Sequence, residues 1–260
     1  MYYSGKSDVG MRRANNQDSF YVKEYENGAV IAAVCDGMGG ALGGQTASKT
    51  ALDAFMSAMD EFMEQAQKNG RMPSSTKIAE KLGNAVSVAN KEVYSRSKDD
   101  PTLEGMGTTL VASLVKGCKI YTVNVGDSRM YLADTDKIVQ VTHDHSYVQY
   151  LVDIGRMTSE EAASSKNKNI ITRAVGTEGD IESDVYITEV KKDRIGTGSI
   201  HILLCSDGLS NLVDKEMIYK IIKDSSDGEK SGMDEAVEKL IDEANRNGGS
   251  DNITAVIVGL

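Results

Sequence analysis

Short apolar runs that give way to aspartate set the tightest limits on how this chain can fold. The run at 30–35 is continuously apolar and stops at Asp36-Gly37. Runs at 108–115, 119–125 and 129–132 follow one another closely enough to read as a meander of strands. Runs at 184–190, 199–204 and 252–258, with a weaker one at 19–25, complete the strand candidates. Elsewhere the period changes. Residues 43–68 carry Ala47, Ala51, Phe55, Met59 and Phe62 at spacings of three and four, and 76–97 repeat the pattern with Ile78, Leu82, Val86, Ala89 and Val93. The break between them holds Gly70 and Pro73, so the two helices are expected to pack antiparallel. Further helices are expected at 214–223 and 233–246. Strands in clusters with helices in pairs argue an α+β fold with antiparallel sheets. Residues 142–180 fit neither pattern and read as a loop-rich subdomain, with a short helix at 146–153 and a capping-box start from Thr158 to Glu161.

Composition removes several classes of function. The chain has 260 residues, 40% hydrophobic, and no Pro-rich or Gly/Ser-rich linker divides it, so one domain spanning 1–260 is expected. A net charge of −10 repels nucleic-acid phosphates, which bind through Lys and Arg. The same charge would repel any phosphorylated ligand unless bound metal ions supplied local positive charge. Cys35, Cys118 and Cys205 form neither a disulfide framework nor a CxxC pair, and Cys35 and Cys205 read as buried free thiols in strands. The opening residues lack a basic stretch followed by an apolar one, and no apolar run approaches the roughly 20 residues that span a bilayer. A cytoplasmic protein with no membrane partner is the expectation.

The positions of five aspartates carry the chemistry. Asp36, Asp127 and Asp207 each follow an apolar run, in Cys35-Asp36-Gly37, Gly126-Asp127-Ser128 and Ser206-Asp207-Gly208. Asp251 immediately precedes the last run, and Asp18 precedes the run at 19–25. Any one of them alone reads as a turn residue, because Asp and Gly tolerate turn conformations. Five at strand mouths can converge, and converged carboxylates repel one another unless cations neutralise them. All-oxygen ligands favour Mg²⁺ or Mn²⁺ over Zn²⁺. Two such ions roughly 3.5–4 Å apart can activate a bridging hydroxide for attack on phosphorus, with no side-chain nucleophile.

Two other phosphate chemistries fail by inspection. A cysteine phosphatase needs Arg six residues after its Cys, and the residues there are Ala41, Asn124 and Asn211. The sole Gly-Lys pair, Gly5-Lys6, leaves no room for a P-loop. The glycine cluster at 39–44 is a weak signal for a phosphate cradle.

Seven segments in order resemble the metal-dependent protein phosphatase family of type 2C, as bacteria carry it. They begin at residues 7–19, which end in Asn15-Asn16-Gln17-Asp18-Ser19, and at Asp36-Gly37-Met38-Gly39-Gly40. Gly105-Met106-Gly107-Thr108-Thr109, Val125-Gly126-Asp127-Ser128-Arg129 and Ile171-Thr172-Arg173-Ala174-Val175-Gly176 follow. Ser206-Asp207-Gly208-Leu209 and Asp251-Asn252-Ile253-Thr254 close the series. The resemblance implies a four-layer α/β/β/α sandwich of two antiparallel sheets flanked by helix pairs. It implies that Asp36 bridges two Mn²⁺ or Mg²⁺ ions, that Asp207 and Asp251 bind the first, and that the Gly37 carbonyl binds the second, on which Asp18 acts through water. A third, looser ion would sit at Asp127 and Asp207, and Arg13 would grip the substrate phosphate. Residues 142–180 would be the family's flap, which influences substrate choice. His143 and His145 at its start read as local hydrogen-bonding residues, and His201 as structural. Met38 stands where animal members have a histidine, Ala41 where many bacterial ones do, and Ser164-Ser165-Lys166 where relatives often have His-Pro. No side chain is therefore assigned as general acid.

The expected activity is metal-dependent hydrolysis of phosphoserine and phosphothreonine in proteins by a monomer, opposing a Ser/Thr kinase. The alternatives are a non-catalytic phosphoprotein-binding module, which should have lost metal carboxylates, and a phosphatase of small phosphoesters.

Overall fold

The computed structural model of the chain describes residues 1–225 and 230–260. The chain opens with strands β1 (Tyr2–Asp8), β2 (Asp18–Glu24) and β3 (Val30–Met38), then the long helices α1 (Gly40–Lys68) and α2 (Ser75–Asp99). Strands β4 (Gly107–Thr108), β5 (Leu110–Lys116), β6 (Lys119–Val125), β7 (Arg129–Ala133) and β8 (Ile138–Gln140) come next. Two short helices follow, α3 (Tyr147–Asp153) and α4 (Ser159–Ser164), then β9 (Asp184–Glu189), β10 (His201–Cys205) and the single turn α5 (Asp207–Ser210). Helices α6 (Lys215–Ser225) and α7 (Lys230–Arg246) precede the last strand, β11 (Ile253–Gly259).

The strands form two antiparallel sheets. One runs β1-β11-β10-β7-β8, and the other β2-β3-β5-β6-β9 with β4 paired to β3. Period-two alternation explains why β3 is apolar from Val30 to Cys35. Ile31, Ala33 and Cys35 face α1 and α2, packing with Phe55, Met59 and Leu82. Val30, Ala32 and Val34 point the other way, into a layer shared with Ile202, Leu204, Val256 and Val258 of the opposite sheet. On the far side Leu203 and Ile257 meet Ile218, Leu240 and Ile241 of α6 and α7. A strand buried on both faces has no polar side to show, and the result is the expected α/β/β/α sandwich.

The expected meander is corrected by the structure. β5 and β6 form a hairpin, but β7 leaves their sheet and pairs with β10 and β8 in the other. The crossing occurs at 126–128, where Gly126 takes φ +102° and a Cβ would lie 2.6 Å from the Thr109 side chain. Strand spacing could not reveal this, because a tight hairpin and a tight sheet-to-sheet crossing need similar numbers of residues. β1 and β8 also escaped the pattern. β1 is a polar edge strand that buries no residue fully, and β8 has three residues.

Candidate active site

Asp18 and Asp36 are brought together by strand register. β2 and β3 pair so that the two residues stand directly opposite each other. Like charges across a strand pair repel, so this register needs compensation. One Asp18 oxygen, Oδ2, accepts hydrogen bonds from the Thr254 hydroxyl at 2.6 Å and the Ser206 hydroxyl at 2.8 Å. The other, Oδ1, is buried with no partner among the described residues. Burial is the main cause that pushes the Asp18 carboxyl up to about 7, against the pull of the two hydroxyls. Asp36 is raised well above the usual carboxylate range, first by burial and then by Asp18, Asp207, Asp127 and Asp251.

The remaining carboxylates arrive from both sheets. Asp127 sits at the β6–β7 crossing, nearly buried, and burial with the nearby Asp207 raises it to about 8. Asp207 opens α5 directly after β10, accepts a hydrogen bond from Asn211 at 2.9 Å, and is raised by burial and by Asp251. Asp251 accepts from the Asn252 backbone at 2.8 Å through Oδ1 and from the Arg13 guanidinium at 2.8 Å through Oδ2. Asp36, Asp127, Asp207, Asp251, Arg13 and Gly37 thus line one open cleft of about 460 Å³. Asp18 lies behind Asp36 rather than on the cleft wall. Gly37 is required by packing, since a Cβ there would lie 2.0 Å from the Gly44 carbonyl in the first turns of α1.

Side chains that the sequence left without a role complete this arrangement. Ser206 and Thr254 hold Asp18, and Thr109 accepts a hydrogen bond from the Asp36 N–H at 2.9 Å. Asn252 donates to the carbonyls of Val9 and Asn15, 3.0 Å each, and accepts from the Gln17 N–H at 2.8 Å, so it ties the loop bearing Arg13 to the base of β11. All four are buried polar residues in or beside apolar runs. Such residues need partners, which is the signal that could have found them.

The segment after helices α3 and α4 contributes Asn169 and Ile171 to the cleft wall, and the helices themselves line a neighbouring cavity with Asp127 and Asp207. His143 Nε2 lies 2.8 Å from Asp153. His145 is buried, accepts from the Gly126 N–H at 3.1 Å, and lies 3.2 Å from Asp184. Both histidines are therefore engaged in local bonding. His201 is buried in β10. Cys35 and Cys205 are buried free thiols, and burial pushes Cys205 up to about 12, far from a thiolate at neutral pH.

Among the described residues no three Asp, Glu, His or Cys side chains close tightly enough to enclose an ion by themselves. The donor set nevertheless fits hard divalent cations. It is all oxygen, Asp18, Asp36, Asp127 and Asp207 are raised in pKa by burial and by neighbouring carboxylates, one buried oxygen of Asp18 has no partner among the described residues, and the cleft opens to solvent. Mg²⁺-like ions keep several waters and need no closed protein cage.

Comparison with known proteins agrees with this geometry. The sequence profile of the family described as protein phosphatase 2C matches residues 10–243. The serine/threonine phosphatase stp of Listeria innocua is 34% identical over 258 residues, 99% of this chain and 95% of its own length. The serine/threonine protein phosphatase PstP of Mycobacterium tuberculosis is 37% identical over 256 residues, 98% of this chain, which spans 44% of that protein. The crystal structure of the PstP catalytic domain in complex with two manganese ions superposes with a TM-score of 0.79 at 35% identity, covering 98% of this chain and 96% of that one. The chain belongs to the protein phosphatase 2C family. It is an enzyme, a phosphoric monoester hydrolase, and the resemblance read from its seven motifs holds.

Proposed function

We propose that this chain removes phosphate from phosphoserine and phosphothreonine of proteins with the help of two Mn²⁺ or Mg²⁺ ions, as one phosphatase domain with a flap at 142–180. The carrying observation is the cleft itself, where Asp36, Asp127, Asp207 and Asp251 surround an open space beside one guanidinium, the first three raised by burial and by neighbouring carboxylates. Such a cluster is costly unless cations neutralise it. Asp36 would reach both ions, Asp207 and Asp251 the first, the Gly37 carbonyl the second, with Asp18 acting on the second indirectly. Asp127 with Asp207 could take a third. Bound ions would supply positive charge for the phosphate and a lowered pKa for water.

The chain's own residues do the rest. Arg13 stands at the cleft with its side chain half exposed, paired to Asp251. Exchange of that carboxylate for a phosphate oxygen would orient the ester, because a planar fork matches both groups. Asn169 and Ile171 wall the flap side. The apolar Met38 lines the cleft where a proton donor could stand, so the leaving alcohol would take its proton from solvent. Phosphoprotein substrates and an opposing Ser/Thr kinase follow from this reading, together with a cytoplasmic location and a monomer.

The test is phosphate release from a phosphothreonine peptide by metal-stripped protein, with and without Mn²⁺, next to Asp36→Asn. Release only with metal and only by the parent protein is expected. A folded Asp36→Asn variant with parental activity would overturn the site, and no release by the metal-loaded parent would favour the binding-module reading.

A further inference from the structure

We propose that the groove between the end of α1 and the start of α2 is a docking site for an acidic segment of a partner protein that carries an apolar anchor. The inference does not depend on the chemistry at the catalytic cleft. Helix α1 begins at that cleft with Gly40, and at about 1.5 Å per residue Phe62 stands roughly 33 Å further along its axis. The groove holds about 550 Å³. Half-buried Phe62, Met72 and Pro73 with buried Ala66 form its apolar floor, and exposed Arg71 and Lys77 stand at its rim. No carboxylate among the described residues lines it, although the chain has 39 acidic residues against 29 basic ones.

Four cations gather at this end of the molecule. Arg71, Lys77, Lys116 and Lys119 form no salt bridge among the described residues. Lys77 is in the first turn of α2, where no acidic residue stands, so its charge is set against the positive end of the helix dipole. The Ser74 side chain accepts from the Lys77 N–H at 3.3 Å and caps the helix without adding charge. Lys119 reaches in from β6, and its ammonium donates to the Ser75 hydroxyl at 3.1 Å. Lys116 of β5 donates to the Asn27 carbonyl, and the Asn27 amide nitrogen lies 3.3 Å from the Met72 sulfur. The carboxylates of Glu61 and Glu26 accept from Gln65 and Gln67 instead.

Charge complementarity names the occupant. Cations around an apolar floor fit an anionic peptide that also offers an apolar side chain, because the charges steer the encounter and the buried side chain holds it. Met72 suits the floor, since a flexible thioether chain adapts to what it meets. A membrane surface fits less well. Insertion needs protruding apolar groups, and among the described residues none of the exposed large apolar side chains lies at 62–77 or 116–119.

The experiment measures, by fluorescence anisotropy, binding of an unphosphorylated peptide with Glu on both sides of a Leu-Phe pair to the Mn²⁺-loaded protein. Control peptides replace Leu-Phe by Ser-Ser, or every Glu by Lys. The parent should bind the first peptide about tenfold more tightly than the Ser-Ser control, since burying one or two apolar groups is worth that much. The Lys control should not bind. Arg71→Glu/Lys77→Glu turns two attractions into repulsions and should weaken binding about tenfold. Met72→Gln should weaken it several-fold. Both variants should keep parental thermal unfolding and parental hydrolysis of p-nitrophenyl phosphate. The proposal is overturned if the parent binds no peptide, if the Ser-Ser control binds as tightly, or if both variants bind like the parent. Displacement of the peptide by inorganic phosphate would put it in the catalytic cleft and overturn the proposal too. Retention on phosphatidylglycerol vesicles without peptide binding would assign the groove to a membrane, and dimerisation abolished by the charge variant would assign it to a second copy. Either result overturns the proposal.

Discussion

The Asp18 carboxylate is held by two hydroxyls at one oxygen, and the other has no partner among the described residues. The bonded oxygen closes a buried strand junction, and the other would be the one to act toward a cation under the proposed function. Thr254→Val keeps the shape of the side chain and removes one of the two donors. The variant should lose about 1.5–3 kcal/mol of stability in urea, the worth of one hydrogen bond to a charged group. Its Mn²⁺ affinity should fall roughly 10–100-fold, as happens when a residue that positions a ligand is removed. Parental Mn²⁺ affinity in the variant would show that Asp18 takes no part in ion binding. The five aspartates were legible in the sequence because each stands where a strand-like run begins or ends. Their hydroxyl partners were not, since a Thr in a strand and a Ser before a turn are also what ordinary strands and turns contain.

At the level of elements, the site depends on how the Arg13 loop is tied to β11. Asn252 makes that tie with three side-chain hydrogen bonds to Val9, Asn15 and Gln17, about 235 residues away in sequence. Asn252→Ala should free the loop, raising KM for a phosphothreonine peptide on the order of tenfold, while lost buried bonds cost about 2–3 kcal/mol. Unchanged KM with reduced stability would place Arg13 outside substrate binding. The helix pairs could be read from their 3.6-residue period, β3 from the unbroken apolar run at its start, and β11 from an apolar run broken by Thr254. The switch of β7 from one sheet to the other could not, although it is what carries Asp127 to the junction where the other carboxylates stand.

For the molecule as a whole, the cleft should make the metal-free protein sensitive to pH. Asp18 and Asp127 have folded-state values of about 7 and 8, above the ordinary carboxylate value near 3.8. The folded protein therefore holds protons that the unfolded chain releases. Stability from these groups is fully present below about pH 4 and is lost as pH rises toward 8, a change on the order of a few kcal/mol. Urea unfolding in EDTA should give lower stability at pH 8 than at pH 5, and Mn²⁺ should narrow or reverse the gap, because ions bind the folded state and favour ionised carboxylates. Equal stability at both pH values in EDTA would mean that the carboxylates are not mutually strained.

The sequence by itself determined the element types apart from β1 and β8, the paired helices and the list of carboxylates, because periodicity and turn chemistry are local properties of a chain. Only the tertiary structure decided that β2 and β3 pair with Asp18 facing Asp36, that the chain changes sheets at Gly126, and that Ser206, Thr254 and Asn252 reach the site. Those outcomes depend on register and long-range closure, which no local pattern records.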